Sequence, residues 1–172
     1  ATKLVFPVDE CEDLKFAVNI ETIDSCRAFD KMLELPEVKK LDGIVMGRVD
    51  LTGSMGLTRE DINAQVVLEI TKDLFKKAKE KDLECAVGGG VSAASLPFFK
   101  ELGALIDRYE TRKVIFQCPE AINDKADAGI LKAVGFELMW LKNKRDYYGL
   151  IFTEDAQRIG MLEARYKKMI EA

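Results

Sequence analysis

Four short apolar runs, each separated from the next by a longer stretch, leave this chain few folds to choose from. The runs lie in Lys15 to Glu21, Asp42 to Gly47, Leu83 to Gly88 and Lys113 to Gln117, and their centres carry almost no polar side chains. Strands that are apolar on both faces belong in a covered parallel sheet, and a sheet of that kind is wound from alternating strands and helices. The pattern therefore predicts an α/β fold rather than a sandwich or a helix bundle.

The intervening stretches carry helical periodicity. Ser25 to Leu35 reads as a short helix, and Thr58 to Lys81 as a long one with Ile62, Val66, Ile70 and Leu74 spaced four apart. Ser95 to Leu102 gives a third helix, with Gly103 as its stop. From Asp127 the chain reads as helical, with Ile130, Val134, Leu138 and Leu141 on one face, and then again from Thr153 to Ile170. We expect an α/β domain over residues 1–120 and a helical extension over 121–172. Leu4 to Val8 reads either as a further strand or as the tail of an element whose start lies outside this chain.

Composition removes whole classes of chemistry. There is no histidine, so Ser/His/Asp triads, Cys/His pairs, imidazole zinc sites and the commonest neutral-pH base are all excluded. What remains is carboxylates, Lys, Arg, Tyr, Cys, backbone amides, or a metal held by oxygen. A net charge of -4 offers no basic excess to neutralise phosphates, so neither nucleic acid nor an anionic membrane is an expected partner. Cys11, Cys26, Cys85 and Cys118 show no metal-site or redox spacing and suit a reducing, cytoplasmic setting. No apolar run approaches the roughly 20 residues of a membrane span.

In a parallel α/β sheet the loops after the strand C-termini converge, so polar residues there are the candidates for a site. The first run ends in Asn19-Ile20-Glu21-Thr22 and the second in Gly47-Arg48-Val49-Asp50-Leu51-Thr52-Gly53-Ser54. The third ends in Gly88-Gly89-Gly90-Val91-Ser92. Glu21 and Asp50 lie about one βα unit apart, which can bring both carboxylates to one cleft as oxygen ligands for Mg²⁺ or Mn²⁺. The alternative is structural, with Glu21 capping the next helix and Asp50 accepting loop amides. Gly47 and Gly53 suit either a backbone that approaches a ligand or a plain tight turn. Gly88 to Gly90 lack the ending of a phosphate loop and serve to keep side chains out of a cavity. Glu110 and Arg112 read as a structural ion pair, and Trp140, Tyr147 and Tyr148 as packing or subunit contacts.

Those strand ends resemble the HpcH/HpaI aldolase and citrate lyase beta-subunit family. The resemblance lies in Val18-Asn19-Ile20-Glu21-Thr22 and in Leu41-Asp42-Gly43-Ile44-Val45-Met46-Gly47-Arg48-Val49-Asp50-Leu51, trailed by Gly53-Ser54-Met55-Gly56-Leu57. It implies the C-terminal half of a (β/α)8 TIM barrel, about four βα units, from a carbon–carbon lyase that acts on 2-keto acid or acyl-CoA type substrates. It further implies that Glu21 and Asp50 bind Mg²⁺ or Mn²⁺, that backbone amides near Gly47, Val49 and Asp50 hold the substrate carboxylate, and that the metal stabilises an enolate. Many aldolase members have Gly-Pro-Ala-Asp-Leu where this chain has Gly47-Arg48-Val49-Asp50-Leu51. The family's substrate-binding arginine and its usual base belong to the other barrel half and have no counterpart here. Self-association or a complementary barrel half is the expected partner, because a half-barrel leaves two sheet edges unpaired. A reading from a different class is a non-catalytic binding or assembly module derived from a barrel half.

Overall fold

A computed structural model describes residues 14–171, so Leu4 to Val8 and Cys11 lie outside the described residues. The fold is mixed α/β, with a five-stranded sheet and helices. Strands β1 (Ala17–Ile20), β2 (Gly43–Gly47), β3 (Glu84–Gly88), β4 (Arg108–Glu110) and β5 (Ile115–Gln117) lie side by side in chain order. β1 to β4 are mutually parallel, and β5 returns antiparallel to β4.

Three of the four expected strands stand where the apolar runs placed them. The fourth is corrected in two ways: its run is the antiparallel β5, and the parallel strand before it, β4, was not foreseen. β4 is three residues long and only Tyr109 is buried, so it carries no apolar run to read.

Register explains the layering. Ile20 pairs with Met46, Met46 with Val87, and Val87 with Tyr109, so these side chains share one face, and all are fully buried. Helices cover that face: α1 (Ile23–Leu33) through Phe29, α3 (Gln65–Lys79) through Val67, Leu74, Phe75 and Ala78, and α4 (Leu96–Leu102) through Phe99. α2 (Arg48–Ser54) is a short turn of helix directly after β2, where Leu51 is buried.

The long helix expected over Thr58 to Lys81 is broken. A 3-10 segment, Arg59–Asn63, precedes α3, and Ala64 between them is extended at φ -65°, ψ 153°. Of the expected stripe, Ile62 and Leu74 are buried and Ile70 packs against the core, while Val66 is exposed and its neighbour Val67 takes the buried position, on one face with Thr71, Leu74 and Ala78. Gly103 ends α4 at φ +57°, a conformation that favours glycine.

The two helical segments expected at the C-terminus are one helix, α5 (Ala126–Ile170). The chain divides into two units between Ala133 and Val134, within this helix. In the first unit Ala126, Ile130 and Ala133 are buried; in the second, every described residue of α5 is exposed or only partly covered.

Candidate functional site

Opposite the helix-covered face, the pleat presents a different row at the C-terminal ends of the parallel strands: Glu21 just past β1, Gly47 at the end of β2, Gly88 at the end of β3 and Glu110 at the end of β4. The two glycines at its centre leave the sheet bare, and a side chain at either would enter occupied space or narrow the gap. A Cβ on Gly47 would stand 2.8 Å from both Cβ and Oε2 of Glu21. A Cβ on Gly88 would stand 3.7 Å from Oε1 of Glu110.

Glu21 does not cap the following helix. Thr22 does so, accepting the Ser25 amide at 3.1 Å while the Thr22 amide donates to Ser25 Oγ at 3.0 Å. Among the described residues the Glu21 carboxylate accepts one hydrogen bond, from Asn19 Nδ2 at 3.2 Å. Asp50 sits in the first turn of α2, is exposed, and accepts no loop amide among the described residues. Neither structural alternative for the two carboxylates is therefore what the fold uses. Ser54 ties their loops together: its Oγ accepts the Ile23 amide at 2.8 Å and donates to the Leu51 carbonyl at 2.7 Å.

The third strand end packs closely against the backbone beside Asp50. Gly89 adopts φ +82°, and a Cβ there would stand 2.9 Å from the Val49 amide nitrogen and 3.0 Å from that of Arg48. Amides in the first turn of a helix have no intrahelical acceptor. Only a glycine at 89 fits this close against the amides that follow Gly47.

Arg48 is the residue that sequence reasoning missed. It is fully buried, and its Nη1 donates to Asn63 Oδ1 at 2.6 Å. Nη2 donates to the Gly89 carbonyl at 2.9 Å and to Ser95 Oγ at 3.2 Å, and Nε donates to the Gly88 carbonyl at 3.3 Å. Its guanidinium also stands 5.0 Å and 5.2 Å from the Phe98 and Phe99 ring centres. Burial pulls its pKa down to about 10, which still leaves it charged at neutral pH. Arg48 therefore locks the glycine loop of β3 against α2, and the only signal for it was a charged residue inside an otherwise apolar strand end.

Other expectations resolve as follows. Glu110 and Arg112 form no ion pair among the described residues, because Glu110 ends a parallel strand and belongs to the row above. Asp107 is structural: it pairs with Lys79 and accepts the Cys85 amide at 2.6 Å. Cys85 and Cys118 are pushed up to about 12 and about 11, chiefly by burial, so neither is a thiolate nucleophile at neutral pH. No helix among the described residues is long and apolar enough to cross a membrane. No group of three or more His, Cys, Asp or Glu side chains is arranged to hold a metal among the described residues.

No protein-family model matches the chain, and no curated protein is significantly similar to it in sequence. Among solved structures, a similar chain is a crystal structure of a citrate synthase variant, SbnG, at TM-score 0.44 and 16% identity. The match covers 76% of this chain and 49% of that one, so this chain spans about half the length of its neighbour. A likeness that distant carries no argument about fold or chemistry, which rest here on the strand ends themselves.

Proposed function

We propose that this chain is the cation-binding half of a carbon–carbon lyase of the (β/α)8 type, acting on a 2-keto acid or acyl-CoA type substrate. The observation that carries this reading is that Glu21 and Asp50 lie at the ends of neighbouring parallel strands, uncommitted to helix capping or loop amides among the described residues, with Gly47 leaving room for the Glu21 carboxylate between them. Side-by-side parallel strands in unbroken chain order support a barrel-type winding. β5 departs from it, turning antiparallel after β4.

The donor set fits a divalent cation. Mg²⁺ and Mn²⁺ favour hard oxygen donors, and Mg²⁺ is commonly held by one or two carboxylates with water and substrate completing the shell. Two carboxylates without a third protein ligand are of that type. Glu21 and Asp50 would hold the ion, and bound there it supplies a Lewis acid for a carbonyl oxygen. The chain's own residues do the rest of the positioning. Asn19 orients Glu21, Ser54 joins the two loops, Arg48 fixes the glycine run against α2, and the amides of Gly47, Val49 and Asp50 are the proposed receivers of the substrate carboxylate.

Calorimetric titration with Mg²⁺ and then with pyruvate or oxaloacetate tests the proposal. The keto acid should bind only with the cation present, and Glu21→Gln or Asp50→Asn should each weaken cation binding by about tenfold or more. Absence of joint binding in the parent chain would leave a non-catalytic module as the better reading.

A further inference from the structure

The second unit carries a surface with a pattern of its own. Counting along α5 in alternating steps of four and three from Val134 to Met169, every stop falls on an apolar residue except Arg145 and Asp155. Alternation of four and three is the 3.5-residue repeat of a coiled-coil seam, sustained here for about five heptads. The apolar side chains on it are exposed, from 44% at Val134 to 74% at Phe152.

The two charged stops say what covers it. The seam is symmetric about Leu150, so a second helix running antiparallel about that point meets it stop for stop. Val134 then faces Tyr166, Leu138 faces Leu162, and Leu141 faces Ile159, while Tyr148 faces Phe152 next to the centre. The same operation sets Arg145 against Asp155 of a second copy, and by symmetry Asp155 against Arg145. Two-stranded seams of this kind tolerate a polar layer when it is paired, and such layers fix register and orientation. A parallel, in-register pairing would instead set Arg145 against Arg145 and Asp155 against Asp155, like charges in an apolar seam.

In the single chain Arg145 has only the adjacent, exposed Asp146 at 2.7 Å, and Asp155 has no hydrogen-bond or ion-pair partner among the described residues. Along one flank the antiparallel register sets Glu137 against Arg165, which is favourable. It also sets Lys144 against Arg158, which is not; the Lys144 ammonium stands 5.2 Å from the Trp140 ring centre and 5.8 Å from that of Tyr148.

We infer that Val134 to Met169 is a homodimerisation surface, on which two copies of this chain pair as an antiparallel coiled coil centred on Leu150 with reciprocal Arg145–Asp155 contacts. The inference does not rest on the carboxylate site. Sedimentation equilibrium of the full chain tests it, with circular dichroism to show that each variant keeps its helix. The parent should be a dimer. Arg145→Asp and Asp155→Arg should each weaken dimerisation by about tenfold or more, and the two together should restore it to within about threefold. A monomeric parent, or reversals that leave the dimer unchanged, would overturn the inference. So would a helical double variant that fails to recover association. Orientation has its own readout. When Leu138→Cys and Leu162→Cys chains are mixed under oxidation, the mixed disulfide should predominate. Predominance of the two same-site disulfides would mean parallel pairing and would equally overturn it.

Discussion

Arg48 shows how a single buried side chain can set the shape of a site it does not enter. Four hydrogen bonds satisfy its guanidinium, and two of them reach the carbonyls of Gly88 and Gly89. Truncation would leave those acceptors buried and unpaired beside a cavity between Phe98 and Phe99. Arg48→Ala should therefore lower unfolding stability by about 3–5 kcal/mol, as measured by urea denaturation. Arg48→Lys keeps the charge but cannot bond four groups in a planar fork, so it should recover only part of the loss. At this scale the sequence disclosed the site unevenly. Glu21 and Asp50 were legible because each follows an apolar run at a strand end. Arg48 was not, since a charge is ordinarily read as exposed. Asn19 was noted only as part of a motif, and its hold on Glu21 depends on side-chain geometry that strand alternation only hints at.

Among the elements, β4 is short, and one aromatic residue adds to its pairing with β3 and β5. Tyr109 stacks between Phe99 of α4 and Phe116 of β5, with ring centres 4.5 Å and 4.8 Å away, and its hydroxyl donates to the Ala121 carbonyl at 2.6 Å. This joins the parallel sheet, its antiparallel edge and the loop that follows. Tyr109→Phe keeps the stack and removes only the hydroxyl, so thermal or urea unfolding should show a loss of about 1–2 kcal/mol. The strands that could be read from sequence were those buried on both faces. β4 escaped because Arg108 and Glu110 alternate with Tyr109, leaving one buried residue and no run. α3 was located, and Leu74 and Ile70 of its expected stripe meet the core, but a strict spacing of four drifts against the 3.6-residue turn and put Val66 where Val67 is the buried residue. The unity of α5 was hidden by the polar stretch between Lys142 and Asp146, which solvent accommodates without ending the helix.

Across the sheet as a whole, the two strand ends differ in charge. The C-terminal end carries Glu21, Asp50 and Glu110, whereas at the other end Lys15 and Arg108 converge on Glu84. Hydrogen bonding from Lys15, with a further contribution from Arg108, holds the Glu84 carboxyl below its ordinary 4.5. A folded-state value below the unfolded one means that the unfolded chain binds the proton first on acidification. The contribution of Glu84 to stability is thus present above about pH 4.5 and is lost as pH falls through the folded-state value. Glu84→Gln should lower stability at neutral pH and flatten the acid limb of a stability–pH profile. Because this cluster lies at the far strand end, the variant should leave cation binding unchanged.

The central claim is that Glu21 and Asp50 together hold a divalent cation that recruits a keto acid. Water-proton relaxation with Mn²⁺ tests it most directly, since each bound ion changes the signal and a substrate entering its shell changes it again. The account predicts enhanced relaxation with the parent chain, a further change on adding oxaloacetate, and loss of both in Glu21→Gln and Asp50→Asn. Unchanged enhancement in those variants, or none in the parent, would contradict it.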